Sequence, residues 1–295
     1  SANLPDPTIL LPNKHFDTRL YSGSQSGQSG FEFAPDWVWI RGRNFEVFHN
    51  LFDTVRGASK RLNSNRDAEE STNTTLLNSF TSDGYGFGSN SDVQGYSGGN
   101  YVNWVWNAGS STVTNNDGSI SSQVRANPTA GFSIVTYTGT GSNATIGHGL
   151  GVAPQAAIFK RRDSSGNWMV YHQSLGNTHN LYLNTTDSSQ DDSHAFNDTS
   201  PTSSVFSLGI SGFLNASSGT FVGYIFSEVE GYNKFGSYTG NGNADGTFIF
   251  LGFKPAFVII KRTDSSGKWA TFDNKRDPDN PVHRFLSPDN INTES

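Results

Sequence analysis

Cysteine is absent from the 295-residue chain, which excludes disulfides and thiolate metal sites and leaves the redox compartment open. Charge is also scarce, at 16% of residues, and 20 basic against 26 acidic side chains give a net charge of −6. Such a chain is a poor candidate for nucleic-acid binding, which needs clustered Lys and Arg. No run approaches ~18 consecutive apolar residues, so we expect no membrane insertion. The first residues, Ser-Ala-Asn-Leu-Pro, lack the basic and apolar regions of a signal peptide, and none is expected.

Amphipathic helical patterns are equally scarce, whereas aromatic residues are abundant, with 22 Phe, 10 Tyr and 6 Trp. Short apolar or alternating runs recur between clusters of Gly, Asn and Ser. These runs cover residues 37–40, 101–106, 132–137, 221–226 and 257–260. Their length is that of strands rather than helices. The sequence therefore predicts an all-β protein with a sizeable aromatic core.

Internal repeats set the expected architecture. Pro154 and Trp168 recur 101 residues later as Pro255 and Trp269, and Pro35 opens a similar segment 119 residues before Pro154. In each copy the proline opens an apolar strand, which a hairpin turn joins to a second strand. The predicted second strands are residues 46–49, 168–172 and 269–273, which makes His49, His172 and Asp273 equivalent.

The repeats predict tandem antiparallel β-sandwiches of the concanavalin A-like or jelly-roll type, with an incomplete third copy. The expected divisions are an N-terminal arm (1–13), a first sandwich (14–108), a linker (109–129), a second sandwich (130–230) and a partial third sandwich (231–295). The first two sandwiches are expected to be separate. The third would have open strand edges and an uncovered apolar face, so we expect further residues or another subunit to complete it. Residues 9–12 (Ile-Leu-Leu-Pro) are a candidate donor segment in trans.

Several motifs occur in the order typical of one protein family. They are Pro-Asp-Trp-Val-Trp-Ile-Arg (35–41), Val-Arg-Gly-Ala-Ser-Lys-Arg-Leu (55–62), Asp-Ala-Glu-Glu (67–70), Ser-Asp-Gly-Tyr-Gly-Phe (82–87) and Gly-His-Gly-Leu-Gly-Val-Ala-Pro (147–154). The chain, from about residue 4 onward, resembles a repeated module of tailed-phage structural proteins, encoded mainly by phages of marine bacteria and cyanobacteria. The modules of that family are similar to concanavalin A-like sandwiches.

The resemblance implies a place on the virion rather than a particular ligand. We expect a non-enzymatic structural protein of a tailed phage, forming an exposed fibre, spike or capsid-decoration component on the particle surface. Its expected partners are other virion proteins and further copies of itself, as a trimer if it is a fibre. The alternative is a lectin-like carbohydrate-binding module that recognises a host-surface glycan. A third hypothesis is a glycan-degrading enzyme.

Glu228 and Glu230 are the best candidates for the acid pair of such an enzyme, which needs two carboxylates roughly 5–10 Å apart. On a strand, their i, i+2 spacing would point both to one face. The equivalent position in the first copy is Ala108, and the pair lies at the junction with the third copy. A solvated surface is therefore the preferred interpretation, and no catalytic residue is predicted.

Seven histidines raise the question of a metal site. His172 and His179 are seven residues apart, while His194 lies near Asp191, Asp192 and Asp198. The proposed equivalence of His49 and His172 with Asp273 preserves no ligand set. The acidic loop 187–198 offers oxygen ligands of the kind that calcium prefers, although an ordinary solvated loop is the preferred interpretation. We predict no metal and no cofactor.

Two glycine-rich runs, residues 84–88 and 147–151, lead into no helix and are interpreted as turns or bulges rather than phosphate-binding loops. Among the aromatic residues, four tyrosines are candidates for exposure and for stacking on sugars. They are Tyr85, Tyr96, Tyr171 and Tyr182. The sequence does not choose among them, so the ligand-binding residues stay open.

Overall fold

Antiparallel β-strands dominate the fold in a computed structural model, which describes residues 7–295. Strands account for 35% of the residues and helices for 6%, which confirms the predicted all-β class. Within the described range, no helix has the length and apolar character needed to cross a bilayer.

The strands fall into a first group of nine, a second group of ten and a final pair. In chain order they are β1 (Phe16–Ser22), β2 (Gly27–Gln28), β3 (Trp37–Gly42), β4 (Asn50–Asp53), β5 (Lys60–Arg61), β6 (Ser71–Thr72), β7 (Leu77–Thr81), β8 (Gly84–Phe87), β9 (Asn100–Trp106), β10 (Thr112–Asn115), β11 (Ser122–Asn127), β12 (Phe132–Thr138), β13 (Ala144–Gly147), β14 (Ala156–Arg161), β15 (Met169–His172), β16 (His179–Tyr182), β17 (Gln190–Asp191), β18 (Val205–Leu208), β19 (Thr220–Phe226), β20 (Phe257–Ile260) and β21 (Ala270–Asp273). Two single-turn α-helices, α1 (Ser193–Phe196) and α2 (Gly212–Asn215), flank β18. We call the parts containing β1–β9, β10–β19 and β20–β21 the first, second and third modules.

The first module is a sandwich of two sheets. A four-stranded sheet in the order β1-β9-β3-β4 packs on a three-stranded sheet, β2-β8-β7. Along β3, Val38 and Ile40 point into this sandwich, whereas Trp37 and Trp39 point out of its other face. Because successive side chains alternate between faces, a strand that is apolar at every position is buried on both sides. The four-stranded sheet is therefore an inner layer of the molecule.

The second module is built around an eight-stranded sheet, in the order β10-β11-β12-β19-β14-β15-β16-β17. Its outer face packs against the β13-β18 pair and the two short helices. Residues 109–129, expected as a linker, instead contribute β10 and β11, which pair with β12 and extend the sheet. The reason is that alternating residues of β11, including Ser122 and Val124, are buried even though the segment is rich in polar residues.

The third module contains the β20-β21 hairpin and long segments without regular strands. Among residues 231–295 there is no counterpart of β8 and β18, or of β9 and β19. The register of its hairpin repeats that of the other modules, since the first residue of the opening strand pairs with the last residue of the returning strand. These pairs are Trp37–Asp53, Ala156–His172 and Phe257–Asp273.

This register corrects the predicted hairpin of the first module. Its second strand is β4 (Asn50–Asp53) rather than residues 46–49, because Phe45 and Val47 pack into the sandwich core instead of pairing with β3. Asp53, and not His49, is therefore the equivalent of His172 and Asp273.

The modules share one aromatic core, although no sheet joins the first module to the others. Large side chains from all three meet there, among them Trp37, Trp104, Trp168, Tyr224 and Trp269. The first two sandwiches thus have separate sheets and their own outer cores, but they do not have independent interiors. Each inner sheet gives one face to its own module and the other to its neighbours.

Equivalent hydrogen bonds join each module to the next. In each, the side chain that directly precedes the returning strand bonds to a carbonyl oxygen of another module. These pairs are Trp168 Nε1 with Asn63 O at 2.8 Å, Trp269 Nε1 with Tyr182 O at 3.0 Å, and His49 Nε2 with Ser287 O at 3.0 Å.

A second set of intermodule hydrogen bonds runs from a backbone amide of one module to a backbone carbonyl of another. They are Glu70 to Arg162 at 2.9 Å, Ser189 to Thr263 at 2.9 Å, and Glu294 to Arg43 at 2.8 Å. The three modules therefore form a closed cycle of approximate threefold character.

Candidate functional site

A buried network of charges lies where the first module meets the second. Arg56 forms an ion pair with Asp53, and neither side chain is exposed. Arg56 also donates to Glu70 Oε2 at 3.0 Å and to the Tyr224 hydroxyl at 3.2 Å, while Arg162 donates to the same Glu70 oxygen at 2.9 Å. Tyr224 in turn donates to Asp53 Oδ2 at 2.8 Å. Every charge in this network is matched by a charge of opposite sign.

The surroundings keep the carboxyl group of Glu70 ionised and the hydroxyl group of Tyr224 neutral, as the pairing requires. Burial alone would raise the pKa of Glu70, but hydrogen bonds from Arg162 and the charge of Arg56 lower it below its usual value. Burial raises the pKa of the Tyr224 hydroxyl well above its usual value, so this group stays protonated. Such fixed states suit structural pairing rather than proton transfer at neutral pH.

The same arrangement recurs where the third module meets the first. Arg276 pairs with Asp273 at 2.5 Å and with Glu294 at 3.2 Å, and Glu294 also binds Arg43 at 2.8 Å. Trp104 Nε1 donates to Asp273 Oδ2 at 3.0 Å, in the role that Tyr224 has in the first network. The two networks share the spacing Asp-x-x-Arg followed by a glutamate, a sequence signal that the repeat comparison did not use.

The second module breaks this pattern. His172 and Leu175 stand where the other modules carry the buried aspartate and arginine. Instead of meeting a strand of the third module, both line a cavity of about 1790 Å³ that residues of all three modules border. Its walls also include Ile158, Phe226 and Phe257. The cavity lies where a third-module counterpart of β9 and β19 would lie.

His49 is a neutral side chain whose hydrogen bond to Ser287 joins the first module to the third. Its Nδ1 accepts from Trp39 Nε1 at 2.8 Å, and its Nε2 lies 3.0 Å from Ser287 O, which fixes the proton on Nε2. Burial, followed by the charge of Arg41, lowers the pKa of His49 well below its usual value, against the opposing effect of the Ser287 bond. Neither nitrogen is free to bind a metal.

Acid is therefore expected to weaken the protein through His49. Below pH ~6.5 the unfolded chain binds a proton at this position that the folded protein does not, so the free energy of unfolding falls as the pH falls. The contribution of His49 to the slope of the free energy of unfolding against pH approaches ~1.4 kcal/mol per pH unit. Urea unfolding between pH 7 and pH 5 should show a shallower pH dependence in His49→Gln than in the wild type. Val113→Ala supplies the control, since it changes an exposed side chain that does not titrate and should keep the wild-type slope. Equal slopes for all three proteins would contradict the assignment.

The carboxylates Glu228 and Glu230 follow β19 rather than lying on a strand, and both are exposed. Glu228 accepts from the amide of Phe235 at 3.3 Å and lies 3.8 Å from Lys234 Nζ. The one-face arrangement expected for a strand is thus wrong, because the chain turns at residues 229–233.

Changing Glu228 and Glu230 together to Gln is expected to leave both folding and biological role intact. The double variant loses one long ion pair on the surface, and such pairs contribute little to stability. Circular dichroism and thermal unfolding should match the wild type. Cleavage of a polysaccharide by the wild type that disappeared in this variant would instead restore the enzyme hypothesis.

The histidines that were considered as metal ligands are distributed over different elements. His172 lies on β15, His179 on β16 and His194 in α1, where its Nδ1 is 3.6 Å from Asp192. In the loop 187–198, the carboxylate of Asp192 accepts from the amide of His194 and caps α1. Across residues 7–295, no three His, Asp or Glu side chains are grouped closely enough to hold a metal ion.

The tyrosine candidates differ in exposure. Tyr85 and Tyr171 are buried and Tyr182 is half-buried, whereas Tyr96 is exposed and stacks on Phe45 with ring centroids 4.2 Å apart. Tyr238, which the sequence analysis did not single out, is also exposed.

Of the glycine-rich runs, residues 84–88 contain β8 rather than a turn. A side chain at Gly84 would come within 2.0 Å of Gln28 O, so this strand needs glycine for its close approach to β2. Residues 147–151 do form the end of β13 and the turn after it.

Fold and contacts together define a multi-module β-protein in which buried ion pairs and aromatic side chains fix the modules against one another. The chain belongs to a family defined by a domain of unknown function, DUF7483, which matches residues 11–295. No curated protein and no solved structure shows significant similarity to it.

Proposed function

We propose that the chain is a non-enzymatic structural protein of a tailed-phage virion, exposed as part of a fibre, a spike or the capsid decoration. The motif order given above supports the virion assignment. The main support for the structural role is the closed cycle of modules, in which buried ion pairs and hydrogen bonds join each module to its neighbours. Other virion proteins are the proposed partners, and homo-oligomers, trimeric in a fibre, are part of the same proposal.

The chemistry of the buried groups favours this role over catalysis. Asp53 and Asp273 are each matched by an arginine at a distance that satisfies the carboxylate, and each accepts a further hydrogen bond from an aromatic side chain. Catalytic acids and bases need a pKa near the working pH and contact with a substrate. These carboxylates are enclosed between modules, where no substrate reaches them.

A carbohydrate-binding role is favoured by one feature of the second module. A shallow polar depression of about 600 Å³ is lined by residues that include Asn143, His194, Asn197, Asp198 and Ile210. Asn197 and Asp198 both adopt positive φ, at 54° and 43°, which is uncommon for consecutive residues other than glycine. Amide and carboxylate groups around the half-exposed Ile210 offer the mixture of polar and apolar contacts that a sugar uses.

Two experiments separate these functions. A cryo-electron microscopy map of the virion, with peptide mass spectrometry of the purified particles, should place the chain at a surface position. Its absence from purified particles would contradict the structural proposal. A glycan array should show no binding if the role is purely structural. Binding that Asn197→Ala abolishes, and that the exposed control Val113→Ala retains, would favour the lectin-like function.

A further inference from the structure

Tyr96 is the exposed member of the four tyrosines considered for sugar stacking. It lies on the loop before β9, and 47% of its surface is accessible. Tyr238 is exposed to a similar extent, at 49%, but it repeats the positions of Tyr21 and Tyr137, whose rings are buried in the cores of their modules. Tyr96 lies outside these cores, so its exposed ring needs an explanation other than packing.

The turn that carries Tyr96 does not require an aromatic side chain. In the first module the amide of Gly99 donates to Tyr96 O at 3.0 Å, and in the second module the amide of Gly219 donates to Ala216 O at 3.0 Å. A further bond of 2.8 Å joins each turn to the residue that follows β1 or β12. These bonds are Gly23 N to Gly99 O and Gly139 N to Gly219 O. Alanine is therefore sufficient for this backbone, and the ring of Tyr96 is an addition in the first module.

The ring of Tyr96 is held in one position. It stacks on the buried ring of Phe45, with centroids 4.2 Å apart and planes within 2° of parallel, and Phe45 packs edge-on against Tyr101 at 5.2 Å. The Tyr101 hydroxyl accepts from the amide of Tyr96 at 3.2 Å. One face of the Tyr96 ring thus rests on Phe45, and the opposite face is accessible. A side chain that is already fixed loses little rotamer freedom when a ligand binds.

Three loops of the first module meet around this ring, namely residues 22–26, 43–46 and 94–100. Hydrogen bonds join them, from Ser24 N to Gln94 O at 2.6 Å, from Arg43 N to Asn100 O at 2.7 Å and from Asn44 Nδ2 to Gly98 O at 2.9 Å. Apart from Arg43 and Glu46 the loops contain no charged residue, and most of their side chains end in hydroxyl or amide groups or are absent at glycine. Arg43 is already paired with Glu294 at 2.8 Å.

We propose that Tyr96 is the stacking platform of a binding site for neutral glycans. The apolar C–H face of a sugar ring packs on an aromatic face, and its hydroxyl groups find hydroxyl and amide partners in the surrounding loops. Phosphorylated ligands are disfavoured, because the one basic residue of these loops already has a carboxylate partner. The site lies in a different module from the polar depression described above. It depends neither on that depression nor on the virion assignment, and it adds a function to a structural role without replacing it.

The test uses the 295-residue chain and tetrasaccharides of glucose, galactose, mannose and N-acetylglucosamine as probes. Binding is measured by saturation-transfer difference NMR, with saturation of the aromatic protons of the protein. Stacking uses the C–H face of a sugar more than any single hydroxyl group, so we expect saturable binding of at least one probe with a Kd of ~1 mM or tighter. The signal should be strongest at the C–H protons of one sugar face.

Matched variants locate the binding position. Tyr96→Ala should weaken binding by about tenfold or more, and it should fold, because Ala216 occupies the equivalent turn of the second module. Tyr96→Phe keeps the ring and should stay within about threefold of the wild-type Kd. Two controls should bind like the wild type: Tyr238→Ala removes an equally exposed tyrosine, and Asn197→Ala alters the depression of the second module. Circular dichroism checks the fold of each variant.

Three results would overturn the proposal. The first is the absence of saturable binding of all four probes to the wild-type chain. The second is binding that Tyr96→Ala retains, and its loss in Asn197→Ala would then assign the glycan to the depression of the second module. The third is a stable oligomer of the chain without sugar, seen by light scattering and dissociated by Tyr96→Ala, which would make the ring part of a protein interface.

Discussion

Replacing Arg56 by methionine is expected to lower the free energy of unfolding by about 3–5 kcal/mol, the cost of removing one partner from a buried ion pair. The variant would leave Asp53 without its cation in a place where neither side chain is exposed, and it would remove one of the two arginines that bind Glu70. Urea unfolding followed by tryptophan fluorescence measures the loss. The equivalent change Arg276→Met should give an effect of the same order, since Arg276 also pairs with one aspartate and one glutamate.

A surface ion pair provides the control for this prediction. Arg262 binds Asp264 at 2.8 Å, but the two side chains are 60% and 75% exposed. Arg262→Met should therefore unfold at the wild-type urea midpoint, since exposed pairs are weak. If Arg56→Met also kept that midpoint, the buried network would not hold the modules together.

Removing the indole of Trp37 is expected to cost about 3–5 kcal/mol, as for other buried aromatic side chains replaced by alanine. Trp37 is 1% exposed, and its ring stacks on Tyr224 and lies against Trp106, with centroids 4.3 Å away in both cases. Because one contact is in its own module and the other in the second, Trp37→Ala should destabilise both modules at once.

The two modules can be followed separately during unfolding. Hydrogen exchange monitored by mass spectrometry should show faster exchange in β12 and β19 as well as in β3 and β9. Tyr238→Ala removes an exposed ring of the third module and should change neither region. Faster exchange confined to the first module would mean that the shared core contributes little to the second.

The sequence was sufficient to predict the all-β class and the long aromatic strands, because strand alternation and Gly-rich turns are local signals. Aromatic runs such as residues 101–106 marked β9 almost to the residue, since a strand buried on both faces is apolar throughout. The hairpin of the first module was misplaced by four residues because Phe45 and Val47 look like strand residues although they fill a sandwich core. β10 and β11 were missed because their Thr, Ser and Asn residues suggest a loop.

Local sequence patterns could not predict the contacts between modules. Arg43 and Glu294 are 251 residues apart, and no periodicity links them. The carboxylate pair singled out from the sequence, Glu228 and Glu230, is exposed. Of the aspartates that organise the interior, Asp53 was not singled out, and Asp273 was noted only as a repeat position without an ion-pair partner. Their common Asp-x-x-Arg spacing was a usable signal, but its meaning depends on which strand of another module each aspartate meets.

Closure of the cycle has a consequence for synthesis on the ribosome. Asp273 and Glu294, the partners of Trp104 and Arg43, are made 169 and 251 residues later than those partners. At about 5–20 residues per second, Glu294 is added roughly 13–50 s after Arg43. During that interval the inner sheet of the first module presents the indole of Trp104 without the side chains that cover it. A nascent chain is thus prone to aggregation until its third module has been made, and chaperones that bind exposed aromatic surface would act on it during that interval.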